Sequence, residues 1–115
     1  MQTLNFSPVY EKLIRAGAKT LTVRAHNRRG HAAGERVMIT IGGPDGPRHP
    51  LSPAILESVQ PRKLGDLRRA DLAGESPDAA DPEALAAALT RIYRRHFSKE
   101  DAVWLIRFRL DPRDD

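Results

Sequence analysis

The sequence predicts an α+β domain: a small β-barrel of mostly antiparallel strands with flanking helices. Three observations predict it. Apolar residues alternate with period two in several stretches separated by glycine- and proline-rich connections. Two other stretches carry the punctuation of helices. The order helix, strand, strand, strand, helices, strand fits one antiparallel sheet around a single core rather than a chain of βαβ units.

The first helix is read in "NFSPVYEKLIRAG". Ser7 can cap it, Pro8 suits its first position, Gly17 can take the left-handed conformation that ends it, and Val9, Tyr10, Leu13 and Ile14 form its apolar face. The period then changes to two in "TLTVR", which sends Leu21 and Val23 to one face and Thr20, Thr22 and Arg24 to the other. "AHNRRGHAAGE" has no periodicity and reads as a basic loop. "RVMITIG" is a second strand with Val37, Ile39 and Ile41 inward. "GPDGPRHP" is an extended turn, and "PAILESVQPRKL" a third strand whose ends are marked by prolines, Pro53 guarding an exposed edge.

Between Leu64 and Asp78 the pattern weakens: "LGDLRRADL" reads as a short helix and "AGESPDAAD" as a loop. From Asp81 the signals return, with Asp81 as N-cap, Pro82 and Glu83 in the first turn, and Leu85, Leu89 and Ile92 on one stripe of "EALAAALTRIYRRHF". The last strand, "AVWLIRFRL", alternates Trp104, Ile106, Phe108 and Leu110 against Arg107 and Arg109, which predicts one dry face.

The length of 115 residues holds one domain, residues 1–115, and the 40% apolar content, with no long block of one charge, predicts a folded chain. With no cysteine, disulfide and thiolate chemistry are excluded. The N-terminus has neither the basic nor the apolar region of a secretion signal, and no apolar run approaches a membrane span, so the expectation is a soluble cytoplasmic protein with no membrane association. The net charge of +4 and the arginine pairs at 28/29, 68/69 and 94/95 favour an anionic or nucleic-acid partner, although arginine-rich surfaces also arise without one. Nothing in the sequence speaks to protein partners.

The four histidines, at 26, 31, 49 and 96, fit no metal spacing, so no metal or other cofactor is expected. No nucleophile elbow, phosphate-binding loop or dinucleotide fingerprint is present. What remains is "GAKTLTVR". Thr22 and Arg24 emerge on one face of a strand, and Lys19, just before it, can reach back over that face. A buried lysine can lose its proton and serve a threonine hydroxyl as base, but lysine and threonine are also ordinary residues of a surface strand.

The pattern "LIRAGAKTLTVR", then "GERVMITIG", a helix ending in "RIYRRHF" and a last strand "VWLIRFRL" resembles the ASCH domain, a relative of the PUA fold associated with RNA. The resemblance implies a PUA-like β-barrel over nearly the whole chain. The family signature is similar to G-x-K-x-x-E-x-R; Gly17, Lys19 and Arg24 match it, and Thr22 stands where the glutamate would be. "KTLTVR" is similar to the K-T-x-T-x-R of a bacterial subset that removes the acetyl group from N4-acetylcytidine.

The resemblance implies an amidohydrolase acting on that nucleoside or a related one, with Lys19 as base, Thr22 as nucleophile and Glu75, or its neighbour Asp71, as the third group. Glu75 would bind or protonate the cytosine edge, and Arg24 would repel the lysine's charged form or contact the nucleoside. Tyr93 could stack on a base or pack in the core, while Trp104 reads as core. Two further functions stay open. A non-catalytic RNA-binding module would use Lys19 and Arg24 for phosphate and Arg28 and Arg29 as a basic rim. A ribonuclease would use His26 or His31.

Overall fold

The computed structural model of the chain describes residues 1–113. A five-stranded sheet has the order β1-β3-β4-β5-β2, formed by β1 (Thr3–Phe6), β2 (Leu21–Arg24), β3 (Arg36–Ile41), β4 (His49–Lys63) and β5 (Ala102–Leu110). β1 runs parallel to β3 and every other pairing is antiparallel. The sheet curls into a half-barrel. No ladder joins its edge strands, and the Arg24 guanidinium of β2 donates instead to the Asn5 carbonyl of β1 at 2.7 Å.

Two helices, α1 (Glu11–Arg15) and α2 (Pro82–Tyr93), flank the sheet. Two apolar clusters form the core. Leu21, Val23, Val103 and Leu105 pack with Leu85 and Leu89 of α2 on one side. Leu4, Phe6, Ile14, Val37, Ile39, Leu56, Ile106 and Phe108 fill the other. Leu21, Val23, Val37, Ile39 and Ile41 are all buried, as their alternation predicts. Thr22 stands opposite Ile106 in the β2–β5 ladder and so shares its face.

Several expectations are corrected. The first helix is preceded by strand β1, absent from the expected order, and shrinks to a 3-10 turn (Pro8–Tyr10) and the five residues of α1. Ser7 caps nothing with its side chain, its carbonyl accepts Tyr10 N at 3.1 Å, and Val9 is 74% exposed. The chain is pulled into the sheet here because Leu4 and Phe6 bury themselves against β3. Gly17 does end the helix, with φ 74°.

β4 continues through Pro50, Pro53 and Pro61, so these prolines do not mark its ends; Pro53 pairs with Met38 on one side and stands at an edge on the other, where its carbonyl accepts Asp111 N at 2.8 Å. Each proline falls where β4 has a single ladder neighbour, β3 before Ala54 and β5 beyond Ile55, so the missing N–H leaves no bond unmade. Residues 64–79 form three 3-10 turns, Leu64–Asp66, Arg69–Leu72 and Pro77–Ala79, in place of a short helix and a loop.

The Asp81 carboxylate caps α2 by accepting Ala84 N at 2.9 Å, as expected. The helix stops at Tyr93, where Arg94 turns left-handed, and Ile92 is 62% exposed rather than part of the stripe. β5 keeps the dry face its alternation predicts at Ile106, Phe108 and Leu110, and adds to it Val103 and Leu105, which are buried on the other face with α2 before that face opens at half-buried Arg107 and exposed Arg109. Trp104 is only half-buried and outside both clusters. Among the described residues no helix is long and apolar enough to cross a membrane.

Candidate active site

Lys19 follows the turn at Gly17 and precedes β2, so its side chain folds back under the sheet edge. It is 3% exposed. Nζ donates to the Leu21 carbonyl at 2.9 Å and to Oε1 of Glu75, and stands 5.0 Å from the Tyr10 ring centre and 5.8 Å from that of Phe6. Burial lowers its pKa from the ordinary lysine value; the Glu75 carboxylate opposes the shift and the Arg24 charge adds to it.

Glu75 comes to Lys19 from a segment more than fifty residues away in sequence, and the reason it reaches lies in the 71–76 crossing. The carbonyl of Gly74 accepts Thr20 N at 2.8 Å and Leu21 N at 3.1 Å, lashing the segment to the start of β2. From β5, Arg107 donates to the Ala73 and Asp71 carbonyls at 2.8 and 2.7 Å, and Leu72 is sunk in the first cluster. The Glu75 carboxylate, as buried as the ammonium it meets, also accepts Ser76 N at 2.7 Å. The Ser76 hydroxyl lies 3.0 Å from Glu75 Oε1 and 2.6 Å from Asp78 Oδ1, and Tyr10 donates its phenol to Asp78 Oδ2 at 2.9 Å. Burial and the Asp78 carboxylate raise the Tyr10 pKa to about 12. Hydrogen bonds from Ser76 and Tyr10 and the Lys19 charge hold Asp78 below its ordinary value against the opposing effect of burial.

Asp71, the rival to Glu75, turns elsewhere. Its carboxylate accepts Arg68 N at 2.9 Å and pairs with Arg62 at 3.7 Å.

Thr22 is buried, and its Oγ1 accepts Arg24 Nε at 2.9 Å. That bond uses an oxygen lone pair and leaves the hydroxyl hydrogen free to be given to a base. Arg24 lies 4.9 Å from the Phe6 ring centre, so Phe6 borders both the lysine and the arginine halves of the cluster. Among the described residues no buried side-chain nitrogen or oxygen lacks a partner.

Two clefts approach this buried group. One, of about 290 Å³, is lined by Ile14, Gly17, Lys19, Thr20, Phe108 and Arg109 among others. The second, of about 280 Å³, holds Arg24 with Arg28, Arg29, Arg48, His26 and His31. Tyr93 lines neither cleft: its hydroxyl accepts Ala25 N at 3.1 Å, and its ring packs on the first core cluster between His26 and Phe97. Among the described residues no three His, Cys, Asp or Glu side chains gather as a metal set.

Sequence reasoning brought out Lys19, Thr22, Arg24 and Glu75 but not Phe6, Tyr10, Ser76 and Asp78. The one available signal was "ESPD", where a serine and an aspartate two apart can share a turn.

No family model matches the sequence, and no curated protein does. Solved structures match it throughout. A protein of Enterococcus faecalis V583 from the DUF984 family is 18% identical with a TM-score of 0.65, over 89% of this chain and 69% of that one. The ASCH domain from Lactobacillus crispatus JV V101 is 16% identical with a TM-score of 0.64, over 89% and 70%. A protein from Pyrococcus furiosus, known by solution NMR, is 16% identical with a TM-score of 0.58, over 95% and 96%. The fold is that of the ASCH domain, a PUA-like half-barrel, in agreement with the resemblance read in the sequence.

Proposed function

We propose that the chain is an ASCH-domain amidohydrolase that removes the acetyl group of N4-acetylcytidine or a related acylated nucleoside. The carrying observation is the buried Lys19, paired with Glu75 under the strand whose Thr22 hydroxyl is oriented by Arg24. The "KTLTVR" resemblance and the ASCH-like fold support the same reading.

The chemistry runs in two halves. Neutral Lys19 takes the Thr22 proton as Oγ1 attacks the acetyl carbonyl. The C–N4 bond then breaks, the lysine returning the proton to the departing amine with Glu75 holding the cytosine edge, and cytidine leaves an acetyl ester on Thr22. Water attacks that ester and gives a proton to Lys19, the C–Oγ1 bond breaks as Lys19 passes that proton to the Thr22 oxygen, and the acetic acid released ionises to acetate and a proton in solvent. Desolvation lowers the lysine's pKa and so favours the neutral form that the first half needs, against the opposing pull of Glu75.

The test is incubation with N4-acetylcytidine, following cytidine by chromatography, beside Lys19→Ala and Thr22→Val with their folds checked by thermal melting. Release by the wild type alone is expected. Near-normal release by folded Thr22→Val would overturn the threonine as nucleophile.

The arginine cleft favours a second reading, an RNA-binding module without turnover, with Arg28 and Arg29 as its rim. RNA affinity that falls steeply with salt and survives Thr22→Val, in a protein that releases no cytidine, would favour it.

A further inference from the structure

The second cleft is more than a patch of charge. Four guanidinium groups, those of Arg24, Arg28, Arg29 and Arg48, line it, and no carboxylate is among its lining residues. Two of the four are spoken for: Arg24 by Thr22 Oγ1 and the Asn5 carbonyl, and Arg29 by Thr3 Oγ1 at 2.9 Å. Arg28 and Arg48 are exposed, and among the described residues no hydrogen bond or ion pair engages either side chain.

The loop that carries Arg28 and Arg29 is built to hold its shape. Asn27 grips His31 twice, Oδ1 accepting its amide at 2.9 Å and Nδ2 donating to its carbonyl at 3.1 Å, around a left-handed Gly30. Gln2 ties the Arg29 carbonyl at 3.1 Å, and His31 Nδ1 lies 3.2 Å from Glu35, the nearest acidic contact of the loop. Like charges gathered at one cleft repel one another, and among the described residues no carboxylate pairs with the Arg28 or Arg48 side chain, a cost that a bound anion would offset.

Arg24 joins this cleft to the chemistry, because the guanidinium that lines it also holds Thr22 Oγ1. The volume, about 280 Å³, falls just below the roughly 300–1,000 Å³ of small-molecule sites, which limits it to part of one nucleotide and excludes a strand. Free guanidinium forks match the oxygens of a phosphate monoester, whose two charges a diester backbone lacks.

We propose that this cleft receives the phosphate of a mononucleotide, so that the preferred substrate is an N4-acylated cytidine monophosphate rather than the free nucleoside. The identity of the base rests on the amidohydrolase reading. The phosphate site does not.

The test compares N4-acetylcytidine, its 5′-monophosphate and a short single-stranded oligonucleotide containing the same base, by kcat/KM, in the wild type and in Arg28→Ala/Arg48→Ala. Binding of cytidine 5′-monophosphate and of cytidine is measured in parallel by calorimetry. The expected result is a preference of about tenfold or more for the monophosphate over the nucleoside, which collapses towards unity in the double variant. Equal use of nucleoside and monophosphate overturns the proposal, as does a preference confined to the oligonucleotide. Without any turnover, salt-sensitive binding of the monophosphate that is lost in the double variant and absent for cytidine upholds the phosphate site while the amidohydrolase reading fails. Absence of both turnover and monophosphate binding sinks the two together.

Discussion

Gly74 presses against Thr20: a β-carbon on Gly74 would lie 2.3 Å from Thr20 Oγ1, and Gly74 also holds φ 90°, a conformation that L residues avoid. Both constraints fall at the point where the 71–76 segment crosses β2, so the absence of one methyl group sets how closely Glu75 approaches Lys19.

Gly74→Ala therefore lifts the crossing. The backbone conformation alone costs about 1–3 kcal/mol, before the collision is relieved. A shift of roughly 1 Å at Glu75 lowers turnover by about 100-fold. Urea denaturation and steady-state kinetics check the pair of effects; a variant as stable and active as the wild type would show that the crossing tolerates displacement.

If the proposed chemistry holds, the Lys19–Glu75 contact sets the acid limb of the pH profile. Lys19 accepts a proton only when neutral, so kcat/KM rises with pH through its pKa, which burial lowers and the Glu75 charge partly restores. Glu75→Gln removes that charge and keeps an acceptor, so the limb moves to lower pH even as the rate plateau falls. A limb that stays in place or moves to higher pH means that Lys19 is not the base.

The same pair is poor value for stability. Glu75→Leu strands a buried ammonium and costs about 3–5 kcal/mol, whereas Lys19→Met with Glu75→Leu restores most of that loss because no charge remains to be desolvated. The double variant is folded and inactive. Denaturation midpoints decide it, and a double variant no more stable than Glu75→Leu alone contradicts the account.

Tyr10 carries a separate pH signature. Its pKa of about 12 in the folded chain lies above the ordinary 10.0, so its contribution to stability is whole below pH 10 and is lost as the pH rises through about 12. Tyr10→Phe removes the phenol given to Asp78. The stability difference between wild type and Tyr10→Phe should shrink across that window, as measured by denaturation at pH 8, 10 and 11.5; a constant difference would detach the phenol from the network.

Legibility in the sequence followed the range of the forces involved. The shared face of Thr22 and Arg24 was readable because a turn glycine followed by strict alternation is local, but only the resemblance of "KTLTVR" to the ASCH signature singled out these residues and Lys19 as candidates. Leu21 and Val23 were readable from the same alternation. Strand β1 was hidden because its four residues offer too few alternations to outweigh the serine and proline beside them, and only the distant β3 makes them a strand. The prolines of β4 mimicked strand ends, since nothing local tells which side of a strand will lack a neighbour. The burial of Val103 and Leu105 on the second face of β5 depends on α2, which no local pattern reveals. Phe6, Tyr10, Ser76 and Asp78 entered the site by tertiary placement alone, and Glu75 could be separated from Asp71 only once Arg62 and the Arg68 amide had claimed the latter.

The pairing of β2 with β5, Leu21 against Arg107 and Arg24 against Trp104, has a temporal meaning. Most of the chain separates the partners, and contacts of such separation are slow to close. Synthesis delivers Lys19 and Thr22 early and Ile106, the ladder partner of Thr22, late, so a nascent chain carries both residues well before β5 can cover them. On the proposed chemistry, the threonine and its base are thus brought together only when β5 arrives.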